Sequence, residues 1–126
     1  MAYDSVFKPG LFADQTILVT GGGSGIGRCV AHELAHLGAH LVLVGRKQEK
    51  LEKTCTEITE DGGSASFQVC DIRDEEAVKA MVGAVIAQRG RIHHLVNNAG
   101  GQFLSPAETI TPKGFRTVID LNVQGT

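Results

Sequence analysis

At 126 residues, with 42% apolar and 21% charged side chains, the chain has the composition of one soluble globular domain. A formal charge of −2 gives no electrostatic footprint for nucleic acid or an anionic membrane, so neither is expected as a partner. Three cysteines without C-x-x-C spacing, and no long apolar run, point to reduced thiols in the cytoplasm rather than to secretion or membrane spanning.

Residues 1–13, with Pro9-Gly10, read as a surface strap. Ile17-Leu18-Val19-Thr20 is an apolar run ending in glycines, as a buried strand does. From Ile26 the period becomes helical: Ile26, Val30, Leu34 and Leu37 are expected to face the core, and Gly38 to end the helix. Leu41-Val42-Leu43-Val44 is a second buried strand closed by Gly45. Leu51, Cys55 and Ile58 mark a helix that runs out at Asp61-Gly62-Gly63. Ser66-Phe67-Gln68-Val69 is a third strand. Asp74-Glu75-Glu76 sets acidic residues on a helix N-terminus, with Val78, Val82, Val85 and Ile86 as its apolar stripe. His94-Leu95-Val96-Asn97 is a fourth strand, and Thr111-Pro112 starts a last helix with Phe115, Val118, Ile119 and Val123 inward.

Strands apolar on both faces, alternating with helices, predict a parallel sheet covered on each side. The right-handed crossover rule then favours a Rossmann-type doubly wound order, 3-2-1-4. The segment 121–126 is helical in pattern, and its apolar stripe has no partner. Residues 1–126 are therefore expected to be the nucleotide-binding half of a longer domain.

Thr20-Gly21-Gly22-Gly23-Ser24-Gly25-Ile26-Gly27 lies between a strand and a helix, where a glycine-rich turn lets backbone approach a pyrophosphate at a helix N-terminus. A plain tight turn and a methyltransferase or flavin loop are the rival readings. Arg46, nineteen residues beyond Gly27, follows Gly45 where such a fold reads the adenosine ribose. An acid there would accept from the 2′-hydroxyl of NAD. Arg46 followed by Lys47 suits a 2′-phosphate instead, so NADP(H) is the expected cofactor. Asp71 either faces the ligand from the end of the third strand or caps the helix beginning near Asp74. Asn97-Asn98-Ala99-Gly100-Gly101 closes the fourth strand; small residues there admit a ligand, and the asparagines can tie the loop backbone.

In kind, order and spacing, the glycine segment 20–27, Asp71, Asn97-Asn98-Ala99-Gly100 and Asn122 in Leu121-Asn122-Val123-Gln124-Gly125-Thr126 resemble the short-chain dehydrogenases/reductases. The resemblance implies that Gly21, Ser24, Gly25, Ile26 and Gly27 line the pyrophosphate and that Asp71 and Ile72 meet the adenine. Asn98, Ala99 and Gly100 would follow the ribose and nicotinamide, and Asn122 would be the family's catalytic asparagine. It further implies hydride transfer between NADP(H) and a small-molecule substrate, and a homo-oligomer for the complete protein. The family's chemistry also needs a serine and a Tyr-x-x-x-Lys pair. The one tyrosine here is Tyr3, with Phe7 four residues on, so this chain alone is expected to be inactive. A narrower similarity joins Ser5-Val6-Phe7-Lys8-Pro9-Gly10-Leu11 and Gly100-Gly101-Gln102-Phe103-Leu104-Ser105-Pro106-Ala107-Glu108 to the peroxisomal trans-2-enoyl-CoA reductase branch and to bacterial citronellol/citronellal dehydrogenase-like relatives. It implies an acyl-CoA or terpenoid substrate, and adds a peroxisomal alternative to the cytoplasm. The alternative function is a non-catalytic dinucleotide-binding or regulatory module.

His32-Glu33-Leu34-Ala35-His36 matches the H-E-x-x-H of zinc proteases, with His40, His93 or His94 as conceivable third ligands. Its face lies opposite the apolar stripe and is expected to point to solvent, so no metal is expected. Cys29, Cys55 and Cys70 are expected to be packing residues.

Overall fold

The alternation of apolar runs and helical periods produces one parallel sheet whose two faces bury different side chains. The computed structural model describes residues 3–126, so Met1 and Ala2 of the expected strap lie outside the described residues. Strands β1 (Thr16–Thr20), β2 (His40–Gly45), β3 (Ser64–Val69) and β4 (His94–Val96) pair in the order β3-β2-β1-β4. Period-2 geometry sends Ile17, Val19, Leu41 and Leu43 to one face. There they pack with Ala31 and Ala35 of α1 (Gly25–His36) and with Leu51 and Ile58 of α2 (Gln48–Glu60). Leu18, Val42 and Val44 point the other way, onto Met81 and Val85 of α3 (Glu75–Arg89). β1 and β2 are buried along nearly their whole length, as the sequence predicts. β3 is an edge and only half-buried, and β4 is three residues long with Leu95 exposed. Among the described residues, no helix is long and apolar enough to cross a membrane.

Three helix faces differ from expectation, two of them (the first and the last) for a packing reason. In α1 the inward residues are Gly27, Ala31 and Ala35, whereas Ile26 is 77% exposed and Val30 and Leu34 are half-buried. The helix starts on the glycine turn, so the residues that touch the sheet must be small. That rotates it by about one residue from the stripe of largest side chains. The same rotation carries His32 out of solvent: its Nε2 lies 3.2 Å from Glu57 Oε2 on α2, beside the 2.7 Å Arg28–Glu57 ion pair. The Tyr3 ring stacks on His32 and tilts against His36, and Ser5 donates to Glu33, so the H-E-x-x-H face seats the N-terminal strap. The hydrogen bond to Glu33 pushes the Tyr3 hydroxyl up to about 12. Cys29 is exposed, contrary to expectation. Cys55 is half-buried and Cys70 buried, and burial raises both thiols.

On α3, Met81 and Val85 are buried and Val78 and Val82 half-buried, but Ile86 is exposed. The last helix, α4 (Pro112–Ile119), is capped by Thr111 Oγ1, which accepts from Gly114 N at 3.0 Å, and passes into a π-helical turn at Asp120–Gln124. Its half-buried residues are Gly114, Val118, Leu121 and Gly125, while Phe115 and Val123 are more than 60% exposed. The two glycines set this face: a Cβ at Gly114 would come 2.7 Å from Phe103 Cζ, and one at Gly125 would come 2.9 Å from Ile72.

Candidate functional site

Parallel register aligns the C-terminal ends of the strands, with Thr20 opposite Val44, Gly45 opposite Val69 and Val19 opposite Val96. The chain runs outward from β1 to β3 and then returns to the other side of β1, so the loops after β1 and β4 diverge and leave a crevice between them. A cleft of about 350 Å³ opens there. Gly21 and Ser24 stand on one wall and Arg46, Lys47 and Lys50 on a second, and Asp71, Ile72, Ala99, Gly100 and Leu121 also line it.

The glycine turn is shaped by close approach. A Cβ on Gly27 would sit 2.2 Å from the Gly21 carbonyl oxygen and 2.5 Å from Asn98 Nδ2, so only glycine lets α1 enter the sheet at this angle. Gly25 has φ +53° and nothing within 4 Å of a Cβ position, so the turn is open on its outer side. Ser24 stands at the N-cap without a side-chain cap bond, and the first turn of α1 carries no acidic residue. Its free N–H groups and dipole are therefore not neutralised by the protein, the arrangement that holds an anion.

Thr20 ties the two diverging loops together. Its hydroxyl accepts from Asn98 N at 3.0 Å and Ala99 N at 2.9 Å, and donates to the Val96 carbonyl at 3.3 Å. Asn98 Nδ2 donates to the Thr20 carbonyl at 3.0 Å. Both residues thus hold backbone on either side of the crevice.

Cations and one carboxylate dominate the far wall. The end of β2 carries Gly45-Arg46-Lys47 and no acid, and Lys50 lies one turn further along α2. Asp74, not Asp71, caps α3 by accepting from Ala77 N, which leaves Asp71 at the cleft. Arg73 grips Asp71 through its guanidinium and holds the carboxyl at about 2, with Arg46 adding a further lowering.

Of the residues singled out from sequence, Gly21, Ser24, Arg46, Lys47, Asp71, Ile72, Ala99 and Gly100 line the cleft. Gly25 and Ile26 lie beside it on the exposed first turn of α1, and Gly27 and Asn98 act from beneath. Asn122 clamps the Gly101 backbone, accepting from its N–H at 3.1 Å and donating to its carbonyl at 2.7 Å. Sequence reasoning gave no role to Lys50, Arg73 or Leu121. The i+3 spacing of Lys47 and Lys50 was a usable signal for the first.

A parallel doubly wound sheet with a glycine turn, an unneutralised helix N-terminus and a basic second loop defines a dinucleotide-binding fold. The family model described as short chain dehydrogenase matches residues 15–126, and the chain belongs to the short-chain dehydrogenase/reductase family. It is 41% identical over 113 residues to a probable 2,4-dienoyl-CoA reductase of Bacillus subtilis (strain 168), covering 89% of this chain and 44% of that protein. It is 37% identical over 123 residues to a peroxisomal 2,4-dienoyl-CoA reductase of Arabidopsis thaliana, covering 98% and 41%. Among solved structures, a citronellol catabolism dehydrogenase of Pseudomonas aeruginosa PAO1 superposes with TM-score 0.93 at 67% identity, over 98% of this chain and 50% of that one. An NAD+-bound xylitol dehydrogenase (TM-score 0.87, 37% identity, 91% and 45% covered) and a metagenomic short-chain oxidoreductase in complex with NADP (0.85, 38%, 90% and 52%) share the fold. The chain spans less than half the length of these two curated relatives.

Proposed function

We propose that this chain is the cofactor-holding part of an NADP(H)-dependent oxidoreductase acting on a carbonyl/alcohol or enoyl-CoA substrate. The observation that carries the reading is the wall of Arg46, Lys47 and Lys50 at the end of β2, where no carboxylate competes for a ribose 2′-hydroxyl. The fit is supported by the open outer side of Gly25 and by the α1 N-terminus, which carries no acid to cancel its dipole. In this reading Gly21, Ser24 and the first turn of α1 bind the pyrophosphate through backbone N–H groups. Arg46 and Lys47 pair the 2′-phosphate, and Asp71 and Ile72 flank the adenine. Asn98, Ala99 and Gly100 shape the path toward the nicotinamide, and Asn122 fixes that loop through Gly101. Bound NADP(H) supplies the hydride donor or acceptor. The proton is handled by the Tyr-x-x-x-Lys pair that the family places beyond the segment matched here. The names of the relatives favour an acyl-CoA or terpenoid-like substrate.

Titrating the full chain with NADPH and NADH tests the reading. The wild type binds NADPH more tightly. Arg46→Ala weakens NADPH by about 1–3 kcal/mol, as loss of a charge-assisted contact should, and leaves NADH nearly unchanged. Equal losses for both cofactors would refute it.

A further inference from the structure

The π-helical turn at Asp120–Gln124 is held from two loops that line the cleft. On one side stands the loop after β3. Hydrogen bonds from Arg73 fill both oxygens of Asp71, so this carboxylate stiffens its own loop. Between them Ile72 packs against the core on the α3 side of the sheet. Its Cδ1 and Cγ1 lie 2.9 Å from where a Cβ on Gly125 would stand, so only glycine lets the backbone that closes the turn come so near. The Arg73 guanidinium is pushed above its ordinary range by Asp71 first and also by Asp120, the first residue of the turn.

On the other side stands the loop after β4. Asn122 Oδ1 accepts from Gly101 N at 3.1 Å, and Nδ2 donates to the Gly101 carbonyl at 2.7 Å. Among the described residues, Gly101 makes no other hydrogen bond. Leu121 packs on it as well, with Cδ2 3.2 Å from a Cβ position there. The place of the Gly101 loop therefore depends on the turn.

Ile72 and Leu121 line the cleft, and Gly101 does not. Ile72 is half-buried, which leaves one side for a ligand. A nucleotide laid on that side meets a complete surface only while Gly125 backs Ile72 and Leu121 is in place, since a β-branched side chain has few rotamers with which to compensate. A ligand that binds one arrangement better shifts the population toward it. We propose that Ile72 is a positioning residue coupling the two ends of the cleft: a nucleotide packed on it fixes the π-helical turn through Gly125, and the turn fixes the Gly101 loop through Asn122. This rests on the dinucleotide reading of the cleft.

The probe is adenosine 2′,5′-bisphosphate, which carries the adenine end of NADP and no nicotinamide. Its binding to the full chain is followed by isothermal titration, and exchange of the Gly101 amide with water by NMR, with and without saturating probe. In the wild type the probe should slow Gly101 exchange about tenfold, within the range usual for coupled sites. Ile72→Ala should bind the probe more weakly and, once saturated, slow Gly101 by about twofold or less, whereas Ile72→Val, which keeps the branch, should retain about fivefold or more. Gly125→Ala strikes the same contact from the other side and should also bring the ratio to about twofold or less. A merely structural Ile72 would change Gly101 exchange equally with and without probe and leave the ratio intact. Far-UV circular dichroism checks that each variant is folded. A wild type that does not bind the probe would overturn the dinucleotide reading itself. Binding that leaves Gly101 unchanged would overturn the coupling, and a tenfold ratio that survives in Ile72→Ala or Gly125→Ala would overturn the role given to Ile72.

Discussion

Replacing Gly27 with alanine should unseat the glycine turn, and the cost follows from distances. The added Cβ would lie 2.2 Å from the Gly21 oxygen, 0.8 Å inside the 3.0 Å that real Cβ contacts respect, and 2.8 Å from the Gly21 carbonyl carbon. Both contacts are backbone, so no flexible side chain can yield, and α1 must retreat. Its retreat disturbs Asn98, whose Nδ2 also lies in the way and which donates to the Thr20 and Gly21 carbonyls. Overpacking of about 1–3 kcal/mol plus one hydrogen bond of about 0.5–1.5 kcal/mol gives a loss of about 1.5–4.5 kcal/mol. That is a large part of the roughly 5–15 kcal/mol that holds a domain folded. Two controls separate the causes. Gly25→Ala meets nothing within 4 Å but keeps φ at +53°, so it carries only left-handed strain of about 1–2 kcal/mol. Gly83→Ala, in open space on α3, should stabilise by about 0.5–1 kcal/mol. Urea unfolding followed by circular dichroism should order the variants Gly83→Ala, wild type, Gly25→Ala, Gly27→Ala. A Gly27→Ala protein as stable as wild type, or Gly25→Ala as the worst of the set, would refute the close-approach argument.

Thr20→Val removes the hydroxyl that two N–H groups share, and should cost about 2–4 kcal/mol in the same unfolding assay, whereas Thr20→Ser keeps the bonds and should cost about 1 kcal/mol; equal losses for the two would contradict the assignment. Arg73 depresses the folded-state pKa of Asp71 from 3.8 to about 2, so the pair stabilises fully above the ordinary carboxylate value and loses that contribution as pH falls from about 4 to about 2. Asp71→Asn should therefore unfold with a shallower acid dependence across that window, and an unchanged slope would exclude the pair. Purified protein should hold no stoichiometric zinc, and His32→Ala with His36→Ala should loosen the strap at Tyr3 while leaving NADPH affinity unchanged; one zinc per chain, lost in the double variant, would show that the H-E-x-x-H face binds metal.

The sheet was legible because its information is local. Runs such as Leu41-Val42-Leu43-Val44 are apolar at every position, and parallel pairing with helices on both faces is the arrangement that buries them. The glycine turn and Arg46 were legible for the same reason, since strand, turn and helix succeed one another without a gap. Helix faces are illegible in the sequence where the contact is made by small residues. Periodicity weights Ile26 and Phe115 by size, yet α1 and α4 approach their neighbours through Gly27, Ala31, Gly114 and Gly125. The roles of Thr20 and Arg73 depend on atoms brought together across the fold or on a turn geometry that the sequence does not announce. His32 and Glu57, 25 residues apart, belong to the same class.

In the proposed reading a nicotinamide dinucleotide lies across the C-terminal ends of β1, β2 and β3, with its pyrophosphate on the N-terminus of α1. An NMR titration of the 15N-labelled chain with NADPH reads this placement residue by residue. Saturable shifts should appear at the backbone amides of Gly21, Ser24, Gly25, Ile26, Arg46, Asp71 and Ala99. No saturable shift at these amides, or shifts confined to Arg28, His32 and Glu57 on the flank where the strap sits, would contradict it.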